Sequence, residues 1–469
     1  QATGCNAVVA SNVVAGLVAG GLWPATAALS ARYVLGQGAV IPALVLAWGF
    51  HGMPWAPLGW GVLWATGVAG AAVPLVIATF AGMCGLTRVP RARLLGAMGF
   101  LASMVALAAL HPRIAFLLGA LLLLPWLWVV LGNSRRDWTA GRHGRAGVLA
   151  MLALAPLAGL AVVSLKVGRS GTDLVARAWP ILEGRVAEVL RYVVNGPAQS
   201  VPQLLSAVLV AVGLVVAVRT RRLRWLAILG VSAAALDVIT ATTNYVRPFN
   251  ALARFWYNDR HRTLVVPPAA AVLLAVIGWE RLRDLVVHRA AVRRQWIPRL
   301  GAILASLTML WGALAGLTYL RGTYIDAAND PKVSFVSPDD ITFYRDVAKI
   351  VPATDRVLNN AWDGSGLLYA YTGIRPVFFL LHGPASTVNG SLLRESLSMM
   401  SREEACPLLQ NDGIRWVIDG GRVSDSNPDL PPQEAPGIKF SQDSWAVTPV
   451  IVRGDRRLYQ ITGCDGKSS

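Results

Sequence analysis

Long apolar runs broken by short polar interruptions set the pattern of residues 1–320. Ten runs read as membrane-crossing helices: roughly 6–30, 38–52, 60–85, 94–110, 113–132, 146–165, 201–218, 224–242, 263–280 and 299–320. A helix needs about 20 apolar residues to cross a hydrocarbon core. Backbone amides inside that core must be satisfied within the segment, which makes the runs helical. The second run is short and ends in His51-Gly-Met-Pro-Trp-Ala-Pro, so a broken or re-entrant helix fits it equally well.

Between the sixth and seventh runs the pattern becomes amphipathic. Leu182, Val186, Val189, Leu190 and Val193 follow Pro180 at helical spacing, with Glu183, Arg185, Glu188 and Arg191 on the other face. A helix lying in the membrane interface is expected there, and an ordinary packed loop helix reads as well. After Arg321 the period changes again. Helices are expected from Ser337 to about Val351, over 366–372 and over 392–410. Strands are expected at 355–359, 375–381 and 414–419, with two or three more in 440–462. This alternation predicts a small α/β domain with partly parallel strands.

Composition agrees with the apolar pattern. The chain is 54% hydrophobic and 15% charged, against about 25% charged in an average soluble protein. The net charge of +17 raises the question of nucleic acid, and its distribution answers it. Residues 1–320 carry 28 Lys and Arg against 8 Asp and Glu, whereas residues 321–469 carry 15 against 18. A nucleic-acid reader needs a basic surface on its soluble part. None exists here, so nucleic acid is excluded as a partner and membrane lipids take its place.

The arginines also orient the chain. One alternating set of loops holds 18 basic residues against 10 in the opposite, longer set. The positive-inside rule places the richer set in the cytoplasm. The 166–200 loop, residues 242–262 and everything after residue 320 are then expected outside. The expected fold class is an α-helical polytopic membrane protein of about ten spans with a C-terminal extracytoplasmic α/β domain. Its expected domains are 1–320 (transmembrane helical) and 321–469 (α/β), in the plasma membrane. Cys406 and Cys464 lie on the expected oxidising side, one after a helix and one at the end of the last strand, and are expected to form a disulfide. No Cys/His pattern has metal-site spacing.

The stretch 242–268 concentrates the candidate chemistry: Arg247, Arg254, Arg260, Arg262, Asp259 and His261 among aromatics, between two apolar runs. Its arginines oppose the orientation rule. Guanidinium forks bind phosphate oxygens bidentately, and Trp256 and Tyr257 suit the headgroup level. The functional reading is a lipid-phosphate site, with Asp259 as a base or metal contact. The structural reading pairs Asp259 with Arg260 or Arg262 and leaves His261 as a helix cap. Asp237 is an intramembrane carboxylate with Arg247 as its candidate partner, and such a group faces either a cavity or a buried ion pair. No cofactor is assigned; a divalent metal is compatible with Asp259 beside a phosphate. His111 before Pro112 reads as a turn residue or a site residue. Asp363, Gly364 and Ser365, in Trp362-Asp-Gly-Ser-Gly366, form an expected extracytoplasmic turn that reads either as an anion-holding helix start or as side-chain capping.

The combination NYVRPF…WYNDRHR, a last apolar run, DRVLNNAWDGSGLLYAYTG and a terminal LYQITGC resembles an uncharacterised family of actinobacterial polytopic membrane proteins. The segments GLWPATAALSARYVLG, GWGVLWATG and ALHPRIAF extend the resemblance over nearly the whole chain. Those proteins in turn resemble the GT-C type glycosyltransferases, which take a sugar from a polyprenyl-phosphate donor at the outer membrane face. The resemblance implies such a donor as partner and glycosyl transfer to a cell-envelope acceptor as function. It also implies further spans and an acidic external loop before the point corresponding to Gln1, so either the catalytic loop is missing from this chain or the work falls to Asp173, Glu183, Glu188 or Asp259. The first acidic residue present is Asp137. The candidate catalytic carboxylates are therefore Asp259, Asp237 and Glu183, with Asp173 and Glu188 as further acids in the external loop. An envelope lipid transporter or flippase, and a non-catalytic envelope assembly factor, are the alternatives. The sequence does not assign an oligomeric state.

Overall fold

The structure is a computed structural model that describes residues 7–59, 64–87, 93–169, 184–198, 200–242, 259–289, 296–323, 334, 336–381, 383–423, 433–441 and 443–464. It contains one compact unit within Val13–Arg321 and another within Gly322–Ser469.

In the first unit, five helices among the described residues are long and apolar enough to cross a membrane: Val9–Val34, Trp64–Met83, Arg93–Leu110, Pro112–Thr139 and Arg224–Thr242. The short second run forms two pieces, Gln37–Gly49 and His51–Gly59, bent by 63° and counting as a sixth span if taken together. Helices also occupy His143–Arg169, Leu204–Arg219, Pro267–Arg289 and Trp296–Arg321. The chain is a multi-pass membrane protein. Helix Arg93–Leu110 shows why water is the wrong solvent for this unit: Leu94, Leu95, Met98, Leu101 and Val105 all face outward. Such a face is stable only against lipid, where the helix still satisfies its own backbone.

Lipid supplies no hydrophobic drive between helices, so close backbone contact has to hold them together. Helices Leu204–Arg219 and Pro267–Arg289 achieve it through two glycines. A Cβ on Gly213 would lie 1.8 Å from the Leu274 carbonyl oxygen, and one on Gly278 would lie 2.0 Å from that of Leu209. Trp23, fully buried, ties the first helical run to the second by donating its indole N–H to Ala47 O at 2.9 Å.

The second unit is built on a five-stranded sheet with strands β1 (Arg356–Leu358), β2 (Arg375–Pro376), β3 (Ile414–Asp419), β4 (Val447–Arg453) and β5 (Arg456–Ile461). The order is β2-β1-β3-β5-β4, parallel at β2/β1 and β1/β3 and antiparallel beyond. Period-two alternation builds a core on each face. Val357, Trp416, Ile418 and Leu458 pack with Phe343, Tyr344 and Val347 of helix Pro338–Ile350. Leu358, Val417 and Tyr459 pack with Leu393 and Leu409 on the other side. Ser337 and Asp340 form a capping box at the start of the first helix.

Two elements differ from expectation. The strand expected over 375–381 ends at Pro376 because the Asn359 side chain replaces the ladder: Phe378 N donates to Asn359 Oδ1 at 2.8 Å, and Asn359 Nδ2 donates to Phe378 O at 2.9 Å. The helix expected over 392–410 divides into Gly390–Ser396 and Arg402–Asp412, because Ser401 and Glu404 form a capping box that starts the second piece. Cys406 on that second piece and Cys464 beyond β5 form the expected disulfide, with Cα atoms 5.4 Å apart.

Candidate functional site

Three separate segments of the membrane unit converge on one buried polar cluster. Helix Arg185–Val193 contributes Glu188 and Tyr192, helix Arg224–Thr242 contributes Asp237, and the single turn Arg260–Thr263 contributes Arg260 and Thr263. Arg260 Nη1 and Nη2 donate to the two oxygens of Glu188 at 3.0 and 2.5 Å, and Nη2 lies 3.4 Å from Asp237 Oδ2. Asp237 also accepts from Tyr192 OH at 2.7 Å and from Thr263 Oγ1 at 2.5 Å. Its side chain is fully enclosed, with one guanidinium and two hydroxyls around it. Burial, with the Asp237 charge beside it, pushes the Tyr192 phenol well above its ordinary range, so it stays a donor.

Asp259 organises the turn itself. Its Oδ1 accepts from His261 N at 2.9 Å, and its Oδ2 accepts from Arg262 Nε at 3.1 Å. Burial pushes its carboxyl up to about 6, against the opposing pull of Arg262 and the His261 amide. His261, buried near the Arg260 charge and His51, is held down at about 3 and is neutral at physiological pH. The described cluster sets three carboxyl groups, Glu188, Asp237 and Asp259, beside two guanidiniums, Arg260 and Arg262.

Two cavities adjoin this region. One, of about 330 Å3, has apolar walls that include Phe50, Val189, Leu264, Pro267 and Pro268, and Tyr192 forms part of its lining. The other, of about 210 Å3, is lined by Trp48, His51, Trp55, Gly316 and Tyr319. His51 packs edge-on to Tyr319 with ring centroids 4.7 Å apart, and its Nε2 has no hydrogen-bond partner among the described residues. His111 caps helix Pro112–Thr139 by accepting from Ile114 N at 3.4 Å, and its Nε2 meets Thr66 Oγ1 at 3.3 Å.

Of the residues singled out in the sequence, Asp237, Asp259, Arg260, His261 and Arg262 stand together here. Glu183, Arg247, Arg254, Trp256 and Tyr257 lie outside the described residues. Tyr192 and Thr263 were not legible as site residues, because a hydroxyl at no special spacing carries no signal until its partner is known. Glu188 was visible as an acid on the polar face of an amphipathic helix and as one of the further candidate acids, but not as the partner of Arg260. No three His, Cys, Asp or Glu side chains gather as a metal-ligand set among the described residues.

In the second unit, the Asp363–Gly364–Ser365 turn is knitted into the sheet. Asp363 Oδ1 accepts from Ser365 N and its Oδ2 accepts from Gly420 N, which follows β3. Ser365 Oγ donates to Asn360 O at 2.9 Å and accepts from Asn359 Nδ2 at 3.1 Å. Gly364 takes a left-handed φ of 86°, which favours glycine. All three residues are occupied in capping the turn.

No curated protein sequence matches this chain significantly. Solved structures that match include ArnT from Cupriavidus metallidurans bound to undecaprenyl phosphate, with 12% identity over 96% of this chain and 83% of that chain and a TM-score of 0.49. At that identity and score the likeness carries no functional argument. The sequence profile of a family of unknown function, DUF6541, matches residues 1–463, and the chain belongs to that family.

Proposed function

We propose that this protein transfers a sugar from a polyprenyl-phosphate donor at the extracytoplasmic membrane face. The observation that carries the reading is the junction at Tyr192, where a buried charged cluster meets an apolar cavity of about 330 Å3. A ligand with a charged head and a hydrocarbon tail matches that pairing of environments. The glycosyl-transfer chemistry comes from the GT-C resemblance of the sequence.

In the proposed reaction an acceptor hydroxyl oxygen attacks the anomeric carbon of the sugar. The bond from that carbon to the lipid phosphate breaks, the phosphate leaves with the electron pair, and the hydroxyl proton passes to a carboxylate. Asp259 is the proposed base. Burial lifts it to about 6, towards the range in which a general base works at neutral pH. Two of its lone-pair sites are used by His261 N and Arg262, and two remain. Arg262, with Arg247 and Arg254, would neutralise the leaving phosphate, and Trp256 and Tyr257 would set its depth. Arg260 would join them by exchanging one oxyanion, Glu188, for another. Asp237 and Tyr192 would hold it in place.

The test is binding of a polyprenyl phosphate, and of the matching polyprenol, to the full chain in nanodiscs. The phosphate form should bind at least about tenfold tighter, and Arg262→Ala should remove most of that preference. Asp259→Asn should retain binding and lose turnover. Equal affinity for phosphate and alcohol would overturn the reading.

A further inference from the structure

A third cavity, larger than these two, lies away from this cluster. It measures about 1050 Å3 and is lined by five arginines: Arg93, Arg135, Arg136, Arg221 and Arg222. Arg221 and Arg222 stand just before the start of helix Arg224–Thr242, whereas Asp237 lies near its end. At 1.5 Å per residue the two sites are separated by about 20 Å along that helix.

Among the described residues none of the five arginines has a carboxylate partner. Arg222 Nε donates to Leu86 O at 3.2 Å, and Arg136 donates to Gly132 O and Asn133 Oδ1, all neutral acceptors. The nearby acid, Asp137, is held by Arg142 and Arg145 instead, at 2.5 and 3.1 Å. All five are exposed, so solvent screens their mutual repulsion in part, and an anion between them would remove the rest. Orientation alone requires arginines in these loops, but not their convergence on one cavity. Apart from Asn133 and Thr139 the remaining wall is apolar, with Leu124, Leu127 and Trp128 contributed by helix Pro112–Thr139. Leu124 and Trp128 are 47% and 42% exposed, so the cavity opens onto the lipid-facing side of that helix.

We infer that this arginine-lined cavity is a binding site for a phosphate-bearing anion, its charged group among the five guanidiniums and any acyl chain along Leu124, Leu127 and Trp128. Planar guanidinium forks match phosphate oxygens, and the adjoining apolar wall favours an anionic phospholipid over a free phosphate. The site is independent of the transfer reaction proposed above.

The test is saturation binding, by native mass spectrometry, of the full chain in detergent. The probes are short-chain phosphatidylglycerol, phosphatidylcholine with the same chains, and inorganic pyrophosphate. One phosphatidylglycerol should be retained at least about tenfold more tightly than phosphatidylcholine. Arg221→Gln/Arg222→Gln should reduce that preference to less than threefold, and Arg135→Gln/Arg136→Gln serves as a second pair if the first fails to fold. If pyrophosphate alone saturates the site and displaces the lipid, the anion site stands with a soluble phosphate as its ligand. Equal retention of the two lipids with no effect of pyrophosphate overturns the inference. So does an undiminished preference in a folded variant.

Discussion

The guanidinium of Arg260 grips both oxygens of Glu188 across 72 residues of sequence, with side-chain exposures of 10% and 2%. This contact turns Glu188 of helix Arg185–Val193 inward. Val186, Val189, Leu190 and Val193 on the same helix are 49–75% exposed, while Glu188 is buried. In water that arrangement would be inside out. At a bilayer it is the stable one, because lipid accepts the apolar face and a buried charge needs a partner.

Breaking that pair from one side strands a buried charge. Arg260→Gln and Glu188→Gln should each lower stability by about 3–5 kcal/mol. Glu188→Gln/Arg260→Gln should lose much less than the sum of the single losses. Thermal unfolding of the four chains in one detergent gives the coupling; additive losses would show that the two side chains do not act together.

The glycine contact between helices Leu204–Arg219 and Pro267–Arg289 leaves no room for a side chain. Gly213→Ala and Gly278→Ala should each destabilise by at least about 1–3 kcal/mol through overpacking, with Gly213→Val worse. Retention of monodisperse protein after heating measures it. An unchanged profile for both alanine variants would mean the helices pack further apart.

Asp363 gives the second unit a pH dependence. Burial pushes its carboxyl up to about 7, despite hydrogen bonds from Ser365 and Gly420. A carboxyl raised in the folded state binds its proton more tightly there than in the unfolded chain. The stability it contributes is complete below the unfolded value of 3.8 and is lost as pH rises through about 7. Wild type should therefore lose stability relative to Asp363→Asn between pH 5 and pH 8, by a few kcal/mol at most. Denaturant titrations at both pH values check it, and a constant difference between the two chains would contradict it.

Sidedness follows from the arginine bias. In a background lacking Cys5 and Cys84, a cysteine replacing the exposed Arg142 should resist an impermeant thiol reagent in intact cells. One replacing Val388, 89% exposed, should react. The reverse pattern would invert the topology.

The sequence by itself determined the membrane class, the α/β alternation after Arg321 and the Cys406–Cys464 pair. Each rests on a local period, or on two thiols that the arginine bias places on one expected oxidising side. It also marked Asp237 as a carboxylate in need of a partner, because an isolated charge in an apolar run is costly wherever the run folds. The identity of the partner was a different matter. Arg247, the nearest candidate in sequence, lies outside the described residues, and among those described the fold brought Arg260, Tyr192 and Thr263 to Asp237, Tyr192 from 45 residues away. Hydrophobic periodicity reports which face of an element is apolar, but not whether that face meets lipid or protein. Only the tertiary packing of three distant segments decided that Glu188 points inward onto Arg260, and that five arginines from three separate stretches of the chain line one cavity.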